Sequence, residues 1–179
     1  MDKFRNQVEK EQNILERIVE YIPGYRSYRQ RERRRDIDKA LRTYVAGKVH
    51  DFMNALSHLS KFLTDAGKID VLDDIDNLYR RLEGVADKIK LATYGYAGFF
   101  DVIKVREDEL DALYQFDLKL LDAAHQMNAM LDPAQEKALI NDSPLLAERL
   151  NAIEIAVRNL EKLMLDRTNL ILNVKGLPS

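Results

Sequence analysis

Apolar residues recur along this chain at alternating spacings of three and four, the period of helices that bury one stripe. A first segment, about 3–21, sets Phe4, Val8, Leu15, Ile18 and Ile22 on one side before Pro23-Gly24 breaks it. From Tyr25 to about Asp65 the only breaker is Gly47, tolerated inside a helix at a cost of about 1 kcal/mol. Ile37, Leu41, Tyr44, Lys48, Phe52, Leu59 and Phe62 follow one meridian of that helix, and Ala66-Gly67 supplies its stop. Asp70 is expected to cap a third helix running to about Leu91, with Leu72, Ile75, Tyr79, Leu82, Ala86 and Ile89 facing inward.

A fourth helix, about 106–131, repeats the spacing with Leu110, Leu113, Asp117, Leu120, Ala124, Met127 and Leu131. Asp132-Pro133-Ala134-Gln135 reads as a cap, a proline at the first helical position and a capping-box partner, opening a short helix that ends near Asn141. Ser143-Pro144 opens the last helix by the same logic. Its Leu146, Leu150, Ile153, Val157, Leu160, Met164, Arg167, Ile171 and Val174 alternate by four and three, a coiled-coil seam interrupted only at Arg167. No strand alternation, long repeat or low-complexity tract appears. The expected fold is all-α: an elongated antiparallel bundle of four to five helices with coiled-coil-like packing, as one domain over residues 1–179.

Composition narrows the function. A chain of 179 residues, 46% apolar, can bury a real core. Without cysteine there are no disulfides, thiolate zinc sites, iron–sulfur clusters or cysteine nucleophiles. Lys+Arg 28 against Asp+Glu 30 gives a net charge of −2, so no global basic field recruits nucleic acid, which is not expected as a partner. No apolar run reaches the roughly 18 residues of a membrane span. Met1-Asp2-Lys3-Phe4-Arg5 mixes charges where a signal peptide would be apolar, so a cytoplasmic location is expected.

Chemistry-bearing motifs are scarce. Di-iron carboxylate bundles need a Glu-x-x-His step on two helices, and none occurs. His50 and His125 fall away from their apolar stripes and His58 lies at the edge of its own, so all three are expected on the solvated surface. Ser57-His58-Leu59-Ser60 is the only local nucleophile–base cluster, and adjacent helical residues diverge by about 100°. Glycine-rich phosphate loops are absent. No metal, cofactor or catalytic residue is expected.

Two runs stand out instead. Tyr94, Tyr96, Phe99 and Phe100 place four of fourteen aromatics within seven residues, either a lid over one end of the bundle or an exposed patch for a partner or membrane. Arg26, Arg29, Arg31, Arg33, Arg34 and Arg35 crowd six guanidiniums into ten residues. They are expected to meet carboxylates of the same assembly, with acidic stretches at 65–76 and 101–111 available. Binding to an external anion, such as a lipid headgroup, is the alternative. Asp117 and Arg167 each put a charge in an apolar seam, where an unpaired ion costs several kcal/mol. Their simplest account is mutual pairing across two antiparallel helices; each could equally meet a different partner.

The run from Ile22-Pro23-Gly24-Tyr25 through Arg35-Asp36, with Ala92-Thr93-Tyr94-Gly95-Tyr96-Ala97-Gly98-Phe99-Phe100-Asp101 and Asp111-Ala112-Leu113-Tyr114-Gln115-Phe116-Asp117, resembles a family of uncharacterised prokaryotic helical proteins over about 22–131. The resemblance implies a bacterial or archaeal cytoplasmic protein and brings no activity, cofactor or ligand with it. The chain is therefore expected to be a non-enzymatic scaffold or protein–protein interaction module. Self-association is expected, a dimer first, because the last seam and the long second helix offer more apolar face than one small bundle needs. The alternative is a peripheral membrane or anionic-surface binder using the arginine cluster.

Overall fold

The computed structural model describes residues 34–91, 107–132 and 136–174. Five α-helices run through them: α1 Arg34–Asp65, α2 Leu72–Leu91, α3 Glu107–Asn128, α4 Glu136–Asn141 and α5 Ser143–Val174. No strand occurs among the described residues. The expected segment at 3–21, the Pro23-Gly24 break, the aromatic run and the Pro133-Ala134-Gln135 part of the cap before α4 lie outside them.

Local chemistry explains the breaks. After α1 the Gly67 N–H donates to the Thr64 carbonyl at 3.0 Å and the Lys68 N–H to the Leu63 carbonyl at 2.9 Å. This paired pattern needs a left-handed residue between the last turn and the exit, and Gly67 supplies it with φ 73°. The chain then enters α2 through a 3-10 turn, Ile69–Val71, so Asp70 lies within that turn and is not the expected cap residue. The cap of α5 is also one residue from its expected place. Asp142, not Ser143, accepts the Leu145 N–H through Oδ1 at 3.0 Å, while its own carbonyl takes the first helical bond from Leu146. Ser143 and Pro144 thus fall in the first turn, where a missing proline N–H is not needed.

Side-chain contacts fix the directions. Arg167 on α5 meets Asp117 on α3, and Arg149 meets the Met130 carbonyl just past α3, so these helices are antiparallel. Tyr44 meets His125, and the Lys48 carbonyl meets Asn128, so α1 and α3 run parallel. Lys68 reaches Ser143 and Arg81 reaches Glu161, which sets α2 parallel to α5. Successive long helices alternate in direction, and the described residues form two antiparallel hairpins, α1–α2 and α3–α5, laid side by side in one orientation. Each long helix packs on two others, with α4 wedged against α5 and α1.

All five helices contribute to one apolar core. On α5 the buried set is Leu146, Leu150, Ile153, Val157, Leu160, Met164 and Arg167, the predicted seam without a slip as far as Arg167; the side chains of Ile171 and Val174 lie outside the described ones. On α1 the buried arc is instead centred on Val45, Val49, Phe52, Leu56, Leu59 and Leu63. Tyr44 and Lys48 stand half-buried on its border, and Phe62 is exposed. The helix touches both α2 and α3, which widens and rotates the face it hides. On α2, Leu78 is buried and Tyr79 exposed, the reverse of the expected choice.

Candidate functional site

Most of the predicted interaction patch falls outside the described residues: Arg26, Arg29, Arg33, Tyr94, Tyr96, Phe99 and Phe100. Arg34 is the first residue of α1, its side chain undescribed. The described fold places the acidic start of α2 relative to Arg34, where α1 begins. Asp70, Asp73, Asp74 and Asp76 are exposed at the start of α2, beside the far end of α1. A helix from Arg34 to Asp65 is about 46 Å long. That acidic stretch is therefore at the opposite end of the chain's own bundle from the entry to α1. Among described elements, the acidic start of α3 at Glu107 shares the end of the bundle at which α1 begins with Arg34.

The seam charges meet. Arg167 Nε donates to Asp117 Oδ1 at 2.6 Å, with both side chains nearly sealed at 1% and 2% exposure. Both are buried in helix seams that are otherwise apolar, with Leu118, Leu120 and Leu121 near Asp117 in sequence and Leu160 and Met164 near Arg167, where the Coulomb attraction is strong and desolvation heavy. Such a pair specifies register, since sliding α5 by one residue would bury both charges apart.

A second, half-exposed fork ties α2 to α5. Arg81 donates through Nε to Glu161 Oε1 at 3.0 Å and through Nη2 to Oε2 at 2.7 Å, with Glu154 at 3.7 Å. The Arg81 hydrogen bonds hold the Glu161 carboxyl below the ordinary glutamate range, against a smaller opposing effect of burial. Glu154 also takes Arg158 at 2.6 Å one turn on.

Between α1 and α3 lies a polar seam that the helical wheel missed. The Tyr44 hydroxyl and His125 Nε2 are 3.2 Å apart, with ring centroids at 5.8 Å. Lys48 Nζ sits 5.6 Å from the centre of the Tyr44 ring and 3.0 Å from Asp51, whose hydrogen bond raises the ammonium's pKa. Asn128 Nδ2 donates to the carbonyls of Lys48 and Ala124, both at 2.8 Å. His125 is thus half-buried between helices and not on the solvated surface, because a wheel drawn for α3 alone cannot show α1 covering its flank. His50 and His58 are exposed as expected, His58 with its ring 6.0 Å from Phe62. Arg42 is a further buried charged residue that the sequence did not single out.

Among the described residues no group of three or more His, Cys, Asp or Glu side chains is placed to hold a metal ion. No described helix is long and apolar enough to cross a membrane. A shallow open groove of about 300 Å³ lies between the end of α1 and α4, floored by Phe62, Ala66 and Ile140 and edged by Asp65, Lys137 and Asn141. On α5 the outward side carries Ile155 and Leu165, each 60% exposed. The described part of the α5 seam is consumed by the chain's own core, so any surface for a partner on this helix is its outward one. Comparison with protein-family models, curated proteins and solved structures gives no match.

Proposed function

We propose that this chain is a non-enzymatic helical interaction module that works as a rigid, self-associating scaffold. The observation that carries the reading is the outward side of α5: a 32-residue helix whose inner seam is spent on its own core presents Ile155 and Leu165 at 60% exposure. Large aliphatic groups in water are unfavourable by roughly 25 cal/mol per Å², and a partner surface relieves that cost. The polar side chains support the same reading, because they join helix to helix. Arg167 to Asp117, Arg81 to Glu161, Tyr44 to His125 and Arg149 to Met130 each cross an interface between elements. A cysteine-free chain suits a cytoplasmic setting, and the prokaryotic origin implied by the sequence resemblance belongs to the same proposal.

One observation favours a second reading, in which the protein docks on an anionic surface. The chain enters α1 at Arg34 and leaves α2 at Leu91, and both helix termini point toward the same end of the bundle. The arginine run and the aromatic run flank those termini in sequence. Basic and aromatic side chains together suit a lipid headgroup layer. Flotation of the full chain with neutral and anionic vesicles separates the readings. The scaffold reading expects the protein to stay at the bottom of the gradient with both. Flotation with anionic vesicles alone, lost between low and physiological salt, replaces it with the second reading.

A further inference from the structure

We infer that two copies of this chain pair through the outward side of α5, antiparallel, about a two-fold axis at Ile155. The inference rests on the self-association reading and names its surface. At 100° per residue, Ile155 lies directly opposite the buried line of Leu146, Val157 and Met164, turned away from the described core and 60% exposed. Among the exposed large apolar side chains described, Phe62 and Tyr79 are at 36%, the edge of burial, Ile69 in the turn before α2 is at 69%, and Ile155 and Leu165 on α5 are at 60%; of the two on α5, Ile155 is the one opposite the buried line.

Charge placement says what covers it. In an antiparallel helix pair crossing at Ile155, residues seven positions to either side of it face one another. Glu148 of one copy then meets Lys162 of the other, and the symmetry makes the contact twice. Both residues are exposed and lie within about 20° of the Ile155 line, so they need no movement of the helix to reach across. A parallel pair would set Glu148 against Glu148 and Lys162 against Lys162, which is repulsive. Ile155 is also near the middle of α5, so an antiparallel partner overlaps the helix over most of its length.

Sedimentation equilibrium on the full chain tests the surface, with circular dichroism melting to show that each variant stays folded. Ile155→Glu is expected to weaken the dimer about tenfold or more, and Glu148→Lys to weaken it as well. Adding Lys162→Glu to Glu148→Lys is expected to restore the wild-type dissociation constant, because the swap re-forms the same contact with signs exchanged. A wild-type dimer indifferent to Ile155→Glu and Glu148→Lys overturns the surface while leaving self-association standing. Failure of the double swap to restore what the single change removed overturns the two-fold register. A wild-type chain that is monomeric throughout overturns both the surface and the self-association on which it rests.

Discussion

Asp117 and Arg167 stand fifty residues apart in the chain and 2.6 Å apart in the core, each almost sealed from solvent. Removing either partner takes the direct buried counter-charge from the other, which for such pairs costs about 3–5 kcal/mol. Asp117→Leu and Arg167→Met should each lower stability by that order, while the double variant recovers most of the loss. Chemical denaturation of all four proteins closes the cycle. Additive losses would show that the two side chains act independently.

The Arg81–Glu161 fork should appear in the pH dependence of stability. A carboxyl held below its ordinary range contributes stability above its unfolded pKa and loses it as pH falls through the folded value. At neutral pH Glu161→Gln should melt a little below the wild type, the gap being small because both groups keep contact with water. The gap should close as pH falls from about 5 through the carboxylate range. Thermal melts at a series of pH values read it, and a constant gap would contradict the assignment.

How much of this was legible beforehand follows from what each residue faces. From Leu146 to Arg167 the α5 seam could be read to the residue because one helix side meets one core and the spacing is strict. The α1 arc could not, because two neighbours cover it: Val45 and Val49 go inward while Tyr44 and Lys48 are left on the border. The buried pair was visible because a charge inside an apolar seam demands an opposite charge. Arg81 and Glu161 gave no such signal, since each sits where any solvated charge would. His125 was misplaced for the same reason, its partner Tyr44 belonging to a helix eighty-one residues away.

Capping offers a sharper check on the start of α5. With Asp142 Oδ1 holding the Leu145 N–H, Asp142→Ala should cost about 1 kcal/mol, and Ser143→Ala much less. Denaturant titration of the two variants decides it. The reverse order would return the cap to Ser143.

Three glycines should respond in opposite directions. Gly47 and Gly84 lie in helices where an added Cβ would meet nothing within 4 Å beyond the local backbone and its two chain neighbours, so alanine there should stabilise by about 0.5–1 kcal/mol each. Gly67, at φ 73°, should lose about 1–2 kcal/mol on the same change, because the exit turn of α1 needs the left-handed conformation. Melting temperatures of the three alanine variants test this. Loss of stability at Gly47 or Gly84 would contradict the open space seen around them.

Self-association is the central claim, and the mass of the full chain in solution tests it most directly. Light scattering behind size exclusion, run from low to high micromolar concentration, should show a species of about twice the 20.8 kDa chain mass whose share grows with concentration. A single species at 20.8 kDa across the whole range would contradict it.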